Sequence, residues 1–130
     1  MIQNESTFHI LLVEDEPINQ KVVQLMLDNI GCTYDSANTG ANALALAKTQ
    51  RYDLILMDIQ LPDISGIDVT KQLRAHGITT PIIATTAYSF DDERHGFIAA
   101  GMNDVLAKPF RQQQIADLIQ QWVKVPIQQS

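Results

Sequence analysis

Leu54-Ile55-Leu56-Met57 is an unbroken apolar run that stops at a carboxylate, Asp58. With Asp53 in front and the Pro62/Gly66 turn behind, it reads as a strand covered on both faces. A strand without a polar face cannot lie at the surface of a sheet, so the chain must supply helices for both sides.

The rest of the sequence meets that demand. The first strand is Phe8 to Val13, and Pro17 then opens a helix at a position where its missing N–H costs nothing. Ile18, Val22, Leu25, Met26 and Ile30 follow at helical spacing up to Gly31. The second strand, Thr33 to Ala37, is short and alternates polar with apolar, as suits a sheet edge. Asn38-Thr39-Gly40 turns into a helix with the stripe Ala43, Leu44 and Ala47. After the central strand, Ser65-Gly66-Ile67-Asp68 resembles a capping box for a helix burying Val69 and Leu73. Pro81 to Thr86 is the fourth strand. The helix from about Asp91 to Ala100 is the weakest, because interior Gly96 costs about 1 kcal/mol against Ala. Asp104 to Ala107 is the fifth strand. The last helix carries Ile115, Leu118, Ile119 and Trp122 and stops before Pro126.

Strand and helix alternate five times, the pattern of an α/β fold with a parallel sheet and helices on both faces. Right-handed crossovers leave few topologies, of which the flavodoxin-like order 2-1-3-4-5 is favoured. Residues 1–7 read as a polar N-terminal extension, 8–124 as one domain and 125–130 as a tail.

Composition removes whole classes of function. Nine Lys and Arg against fifteen Asp and Glu give a net charge of −6, so direct nucleic-acid binding is not expected. Cys32 is the only cysteine, which excludes a disulfide framework or thiolate metal site. His9, His76 and His95 fall on three elements without metal-ligand spacing and read as surface or helix-end residues. The glutamine runs Gln112–Gln114 and Gln120-Gln121 read as solvated helix face. No apolar run approaches a membrane span, and residues 1–8 lack the basic start of a signal peptide, so the chain reads as cytoplasmic.

Ligands of open α/β sheets bind outside the carboxyl ends of the strands. Strand one ends in Glu14-Asp15, strand three in Asp58, strand four in Thr86 and strand five in Lys108. Taken singly, each has a plainer reading: Asp58 as a turn cap, Glu14-Asp15-Glu16 as an acidic turn before a helix, Thr86 as a strand end, Lys108 as a loop lysine. Together they weigh differently. Strands one and three are neighbours in the expected order, so Glu14, Asp15 and Asp58 crowd one crevice. Like charges at close range are costly unless a cation joins them or one takes a proton. All-oxygen ligands point to a hard cation, Mg²⁺ first and Mn²⁺ as its substitute. Asp15 is expected to ligate directly, Glu14 to act through water, and Asp58 and the Gln60 backbone carbonyl to complete the protein ligands. Lys108 and Thr86 suit the equatorial oxygens of a transferring phosphoryl group, with Asp58 as its acceptor.

Leu11-Leu12-Val13-Glu14-Asp15, Asp58 to Gly66, Pro81 to Ala87 and Lys108-Pro109-Phe110 together resemble the receiver domain of two-component response regulators. The resemblance covers residues 8 to 124. It implies that a histidine kinase or histidine phosphotransfer domain passes its phosphoryl group to Asp58 with Mg²⁺ in place. It implies further that Thr86 and Lys108 then shift the face of the fourth helix, fifth strand and fifth helix, and that the bond before Pro109 is cis. Val13 to Gln20 and Gly101 to Phe110 are most similar to receiver modules of hybrid sensor histidine kinases. That favours a module excised from such a kinase over a free-standing receiver, without setting the oligomeric state. One position departs from the family pattern: where many receivers carry a switching aromatic, this chain has Val105. Gln60 and Tyr88 match positions that tune hydrolysis, and the Tyr88 ring is expected to shield the acyl phosphate from water. Two other functions compete. A metal-dependent phosphohydrolase using an aspartyl phosphate is disfavoured because Gln60 stands where a second acid is needed and no cap insertion is present. A phosphorylation-independent interaction module is disfavoured by the intact acid, threonine and lysine set.

Overall fold

The computed structural model describes residues 8–87 and 91–123. The expected extension 1–7, the tail 125–130 with Pro126, and Tyr88 lie outside the described residues. Ten elements alternate: β1 (His9–Val13), α1 (Pro17–Ile30), β2 (Thr33–Ala37), α2 (Gly40–Thr49), β3 (Leu54–Asp58), α3 (Gly66–Ala75), β4 (Ile82–Thr86), α4 (Asp91–Ala100), β5 (Asp104–Ala107) and α5 (Gln112–Trp122). The strands pair in parallel in the order β2-β1-β3-β4-β5, as the alternation predicts. Among the described residues no helix is long and apolar enough to cross a membrane.

Alternate residues of the inner strands feed two separate cores, which is why those strands read as unbroken apolar runs. Leu11, Val13, Ile55, Met57, Ile82 and Ala84 pack with Ala43 and Ala47 of α2, Val69 and Leu73 of α3 and Phe97 of α4. Ile10, Leu12, Leu54, Leu56, Ile83 and Leu106 pack with Val23 and Leu27 of α1 and Ile115, Leu118 and Ile119 of α5. The buried Phe97 side chain anchors α4 despite Gly96. Cys32 is a packing residue; burial, with Asp53 adding to it, pushes its thiol up.

Four local expectations need correction. The core face of α1 is Val23 and Leu27; Ile18, Val22 and Leu25 are 71%, 44% and 56% exposed. The helix carries enough apolar residues for two stripes, and the one with Val23 and Leu27 meets the sheet. At α3, Ser65 Oγ accepts from the Ile67 N–H (3.1 Å), one residue short of a capping box. The glutamines are not merely solvated: Gln114 Oε1 caps α5 through the Arg111 N–H (2.7 Å), and Gln112 Oε1 accepts from Asn29 Nδ2 (3.0 Å). His9 is half-buried in a polar cluster: its ring stacks on Tyr52 and meets Thr33 Oγ1 at 2.7 Å and Asp35 Oδ2 at 3.2 Å. The Tyr52 hydroxyl also donates to Asp35 Oδ2 (2.6 Å), and this bond holds the Asp35 carboxyl below its ordinary range.

Arg74, near the end of α3, joins parts of the chain that no local pattern connects. Its guanidinium donates to the carbonyls of Gly101, Ile78 and Thr80 and to Asn103 Oδ1, all at 2.8–2.9 Å. Asn103 Oδ1 in turn accepts from the Ile82 N–H. The knot closes the base of β4 and β5, at the edge opposite the cleft described next.

Candidate phosphoryl-acceptor cleft

Parallel register brings the carboxyl ends of β1, β3, β4 and β5 to one sheet edge. Val13 lies beside Met57, Asp58 beside Thr85, and Thr86 beside Ala107, with Lys108 next along the chain. An open cleft of about 340 Å³ there is lined by Glu14, Asp15, Asp58, Gln60, Thr86 and Lys108, among others. Glu14, Asp15, Asp58, Gln60, Thr86 and Lys108, all expected at this edge from the sequence, therefore share one cavity.

The carboxylates converge. Glu14, Asp15 and Asp58 each offer an oxygen within 4.8 Å of the others. Glu14 and Asp58 are each 3% exposed, whereas Asp15 is open to solvent. Lys108 Nζ meets Glu14 Oε1 at 2.8 Å and Asp58 Oδ2 at 3.3 Å. The other Glu14 oxygen accepts from the Glu16 N–H (3.1 Å), and Asp58 Oδ1 accepts from the Gln60 N–H (3.1 Å). Glu14 is thus held on both oxygens, which suits a bracing role better than a position in direct contact with a ligand. Thr86 is 4% exposed, and its carbonyl accepts from the Lys108 N–H (2.7 Å). The Lys108–Pro109 peptide is cis, as the resemblance implied.

Electrostatics follows from this crowding. Burial, with Glu14 next, pushes the Asp58 carboxyl up to about 6, against the opposing pull of Lys108 and the Gln60 N–H. Burial works to lower the Lys108 ammonium, but Glu14 and Asp58 outweigh it and hold it above its ordinary value. One lysine cannot balance three carboxylates. The cleft is a concentration of hard oxygen donors with negative charge left over, and such a donor set fits a divalent cation of the Mg²⁺ type.

The loop after Asp58 sits tightly on its surroundings. Ile59 N–H donates to the Thr85 carbonyl (3.2 Å) and Gly66 N–H to the Ile59 carbonyl (2.9 Å). A Cβ on Gly66 would collide with the Asp58 carbonyl oxygen. Only glycine permits that approach.

Sequence reasoning missed a second feature. Beside the cleft, and sharing Glu14, Asn19, Ala87 and Lys108 with it, lies a groove of about 420 Å³ whose apolar wall is Val22, Val23, Met26, Pro109 and Phe110. The exposed α1 residues Ile18, Val22 and Leu25 continue that surface. The available signal was the excess of apolar residues on α1, which the sequence reading assigned to the core.

At the position expected for a switching aromatic, Val105 pairs with Ala84 and packs on the core under α4. Its neighbour Asp104 accepts from Arg94 Nη2 of α4 (3.0 Å) and Trp122 Nε1 of α5 (3.2 Å). One carboxylate thereby ties α4, β5 and α5 together.

Comparison with known proteins agrees with this geometry. The sequence profile of the response regulator receiver domain matches residues 10–120. The aerobic respiration control sensor protein ArcB of Escherichia coli is 40% identical over 104 residues, covering 78% of this chain and 13% of ArcB. The receiver domain of the sensor histidine kinase PA1611 from Pseudomonas aeruginosa, solved with a magnesium ion coordinated in its active-site cleft, is 42% identical with a TM-score of 0.83, covering 90% of this chain and 98% of that one. The Saccharomyces cerevisiae receiver domain of Ssk1, solved in complex with the histidine phosphotransfer protein Ypd1, belongs to a structure matched at 29% identity and a TM-score of 0.85, over 90% of this chain and 89% of that one. The chain spans only 13% to 19% of the length of curated relatives such as Skn7, GacS and ArcB.

Proposed function

The chain belongs to the response regulator receiver family, and from that premise we propose that it accepts a phosphoryl group on Asp58 from a partner phosphohistidine. The observation that carries this reading is the meeting of Asp58 with Lys108 and the Glu14-Asp15 pair in one open cleft. An Asp58 oxygen attacks phosphorus, the phosphorus–nitrogen bond of the donor breaks, and the imidazole leaves with the bonding pair and takes up a proton. With its carboxyl near 6, Asp58 is mostly ionised at pH 7 and ready to attack. Lys108 stays protonated and offers its charge to the transferring group, beside the Thr86 hydroxyl. Asp15, Asp58 and the Gln60 carbonyl would hold Mg²⁺, braced by Glu14, and the cation would offset charge on the phosphoryl oxygens.

The donor is a histidine phosphotransfer domain or kinase that seats a helix in the apolar groove and along the Ile18–Val22–Leu25 stripe. Continuity of that surface with the cleft, and the complex formed by the Ssk1 receiver, support this choice. In a hybrid kinase or phosphorelay the group passes onward by the reverse step. The phosphorylated form alters the α4-β5-α5 face through backbone and helix shifts, with Asp104 linking the three elements in place of an aromatic at 105.

Intact mass after acetyl phosphate with Mg²⁺ tests the central claim. A gain of one phosphoryl group is expected for the parent, and none for Asp58→Asn or for parent stripped of divalent cation. No gain by the parent, or steady turnover of phosphate monoesters, contradicts it. Val105→Tyr is expected to change the amide shifts that phosphorylation induces on α4 and α5. Identical shifts in parent and variant would show that position 105 does not limit the switch.

A further inference from the structure

The loop that follows Asp58 is held by more than its own ends. Asp63, at its middle, reaches α2 and accepts from the Gly40 N–H at 2.7 Å and the Ala41 N–H at 2.9 Å. These are donors at the first turn of α2, which the helix itself leaves unpaired and where the dipole favours an anion. The same N–H groups hold the Asp63 carboxyl below its ordinary range. The next residue, Ile64, lies so close that a Cβ on Gly40 would run into its side chain. The loop is therefore clamped on α2 by a charged contact and an apolar one at adjacent residues. At its base it is tied by the Gly66–Ile59 and Ile59–Thr85 backbone bonds. Gln60 lies between the two anchorages, with its N–H on Asp58 Oδ1.

We propose that Asp63 is a positioning residue for the cation site: by fixing the loop to α2 it sets where Gln60 stands relative to Asp58. The inference rests on the receiver reading above. Asp63 is neither among the residues lining the cleft nor in its carboxylate cluster. Groups that orient metal ligands without touching the metal commonly change affinity by roughly 10- to 100-fold.

Helix capping and loop positioning must be separated, and α2 offers the control. Thr39 Oγ1 accepts from the Asn42 N–H (3.0 Å), so Thr39→Ala removes a different cap from the same helix without touching the loop. Mg²⁺ alone is titrated into parent, Asp63→Ala, Asp63→Asn and Thr39→Ala, followed by backbone amide shifts around the cleft. The same spectra report whether each variant is folded. Asp63→Ala is expected to weaken Mg²⁺ binding roughly ten-fold. Thr39→Ala is expected to leave it at the parent value, and Asp63→Asn, which keeps one acceptor, to fall between. Affinity in Asp63→Ala equal to that of parent, or equally reduced in Thr39→Ala, overturns the proposal. Equal losses in Asp63→Ala and Asp63→Asn would trace the effect to charge alone and also overturn it. A parent that binds no Mg²⁺ at the cleft would bring down the receiver reading itself, a different result from all of these.

Discussion

Asp58→Asn is expected to be more stable than the parent at pH 8 in buffer free of divalent cations, by roughly 2 kcal/mol. In the parent, burial and the nearby Glu14 carboxylate raise the Asp58 carboxyl from an ordinary 3.8 to about 6. Between those values the folded chain holds a proton that the unfolded chain has lost, so stability falls as pH rises through that window and stays lower above it. The full rise corresponds to about 3 kcal/mol, and screening through the open mouth of the cleft reduces it. Asparagine keeps the shape without the charge, although it gives up the ion pair with Lys108. The gap between variant and parent should therefore narrow as pH is lowered through 6 towards 4, where the folded Asp58 holds its proton and the unfolded carboxyl has begun to take one up. Added Mg²⁺ should narrow it from the other direction, because a ligand bound only by the folded parent stabilises that parent. Urea midpoints across pH 4 to 8, with and without Mg²⁺, measure all three effects. An Asn variant less stable than the parent at pH 8 would mean that the Lys108 pair outweighs burial and Glu14 repulsion.

The crowding that raises the Asp58 carboxyl is also what makes the cleft legible in the sequence. A carboxylate at the end of a strand with no polar face, with two more acids and a lysine at neighbouring strand ends, is an arrangement that packing alone does not favour. The strands were legible for a related reason. Leu54 to Met57 is buried on both sides, so its pattern carries no face to misread. In α1 the same logic fails: seven of its fourteen residues are apolar (Ile18, Val22, Val23, Leu25, Met26, Leu27 and Ile30), enough for a core stripe and an exposed one. Periodicity detects an apolar stripe but cannot say which stripe meets the sheet. Arg74, Asp63 and the His9 cluster were invisible for a different reason. Their partners lie far along the chain, Asp63 reaching back to Gly40 and Arg74 forward to Asn103, and no local spacing encodes such contacts. Such long-range polar contacts are thus harder to read than the charged groups gathered at the strand ends.

Gly66→Ala is expected to cost about 3 kcal/mol and to disable the cleft, although it adds a single methyl group. The new Cβ would collide with the Asp58 carbonyl oxygen and stand 3.0 Å from both the Asp58 carbonyl carbon and Met57 Cγ. None of these can easily give way. Met57 is fully buried, and Asp58 pairs in register with Thr85 inside the sheet. The strain must then fall on the first turn of α3, breaking the Gly66–Ile59 bond and lifting the loop that carries Gln60. Gly96→Ala is the matched control. Gly96 is interior to α4 with open space around its Cα, so alanine there should stabilise by about 0.5–1 kcal/mol through helix propensity. The two substitutions are chemically identical, so their opposite signs isolate the close approach at Asp58 from any general effect of replacing glycine. Urea unfolding gives the sign and size, and mass after acetyl phosphate gives the functional loss. Gly66→Ala with parental stability and parental phosphoryl uptake would mean that the start of α3 can move away without disturbing the acceptor. In that case β3 alone, without the packing of α3 against its end, would be enough to hold Asp58 in place.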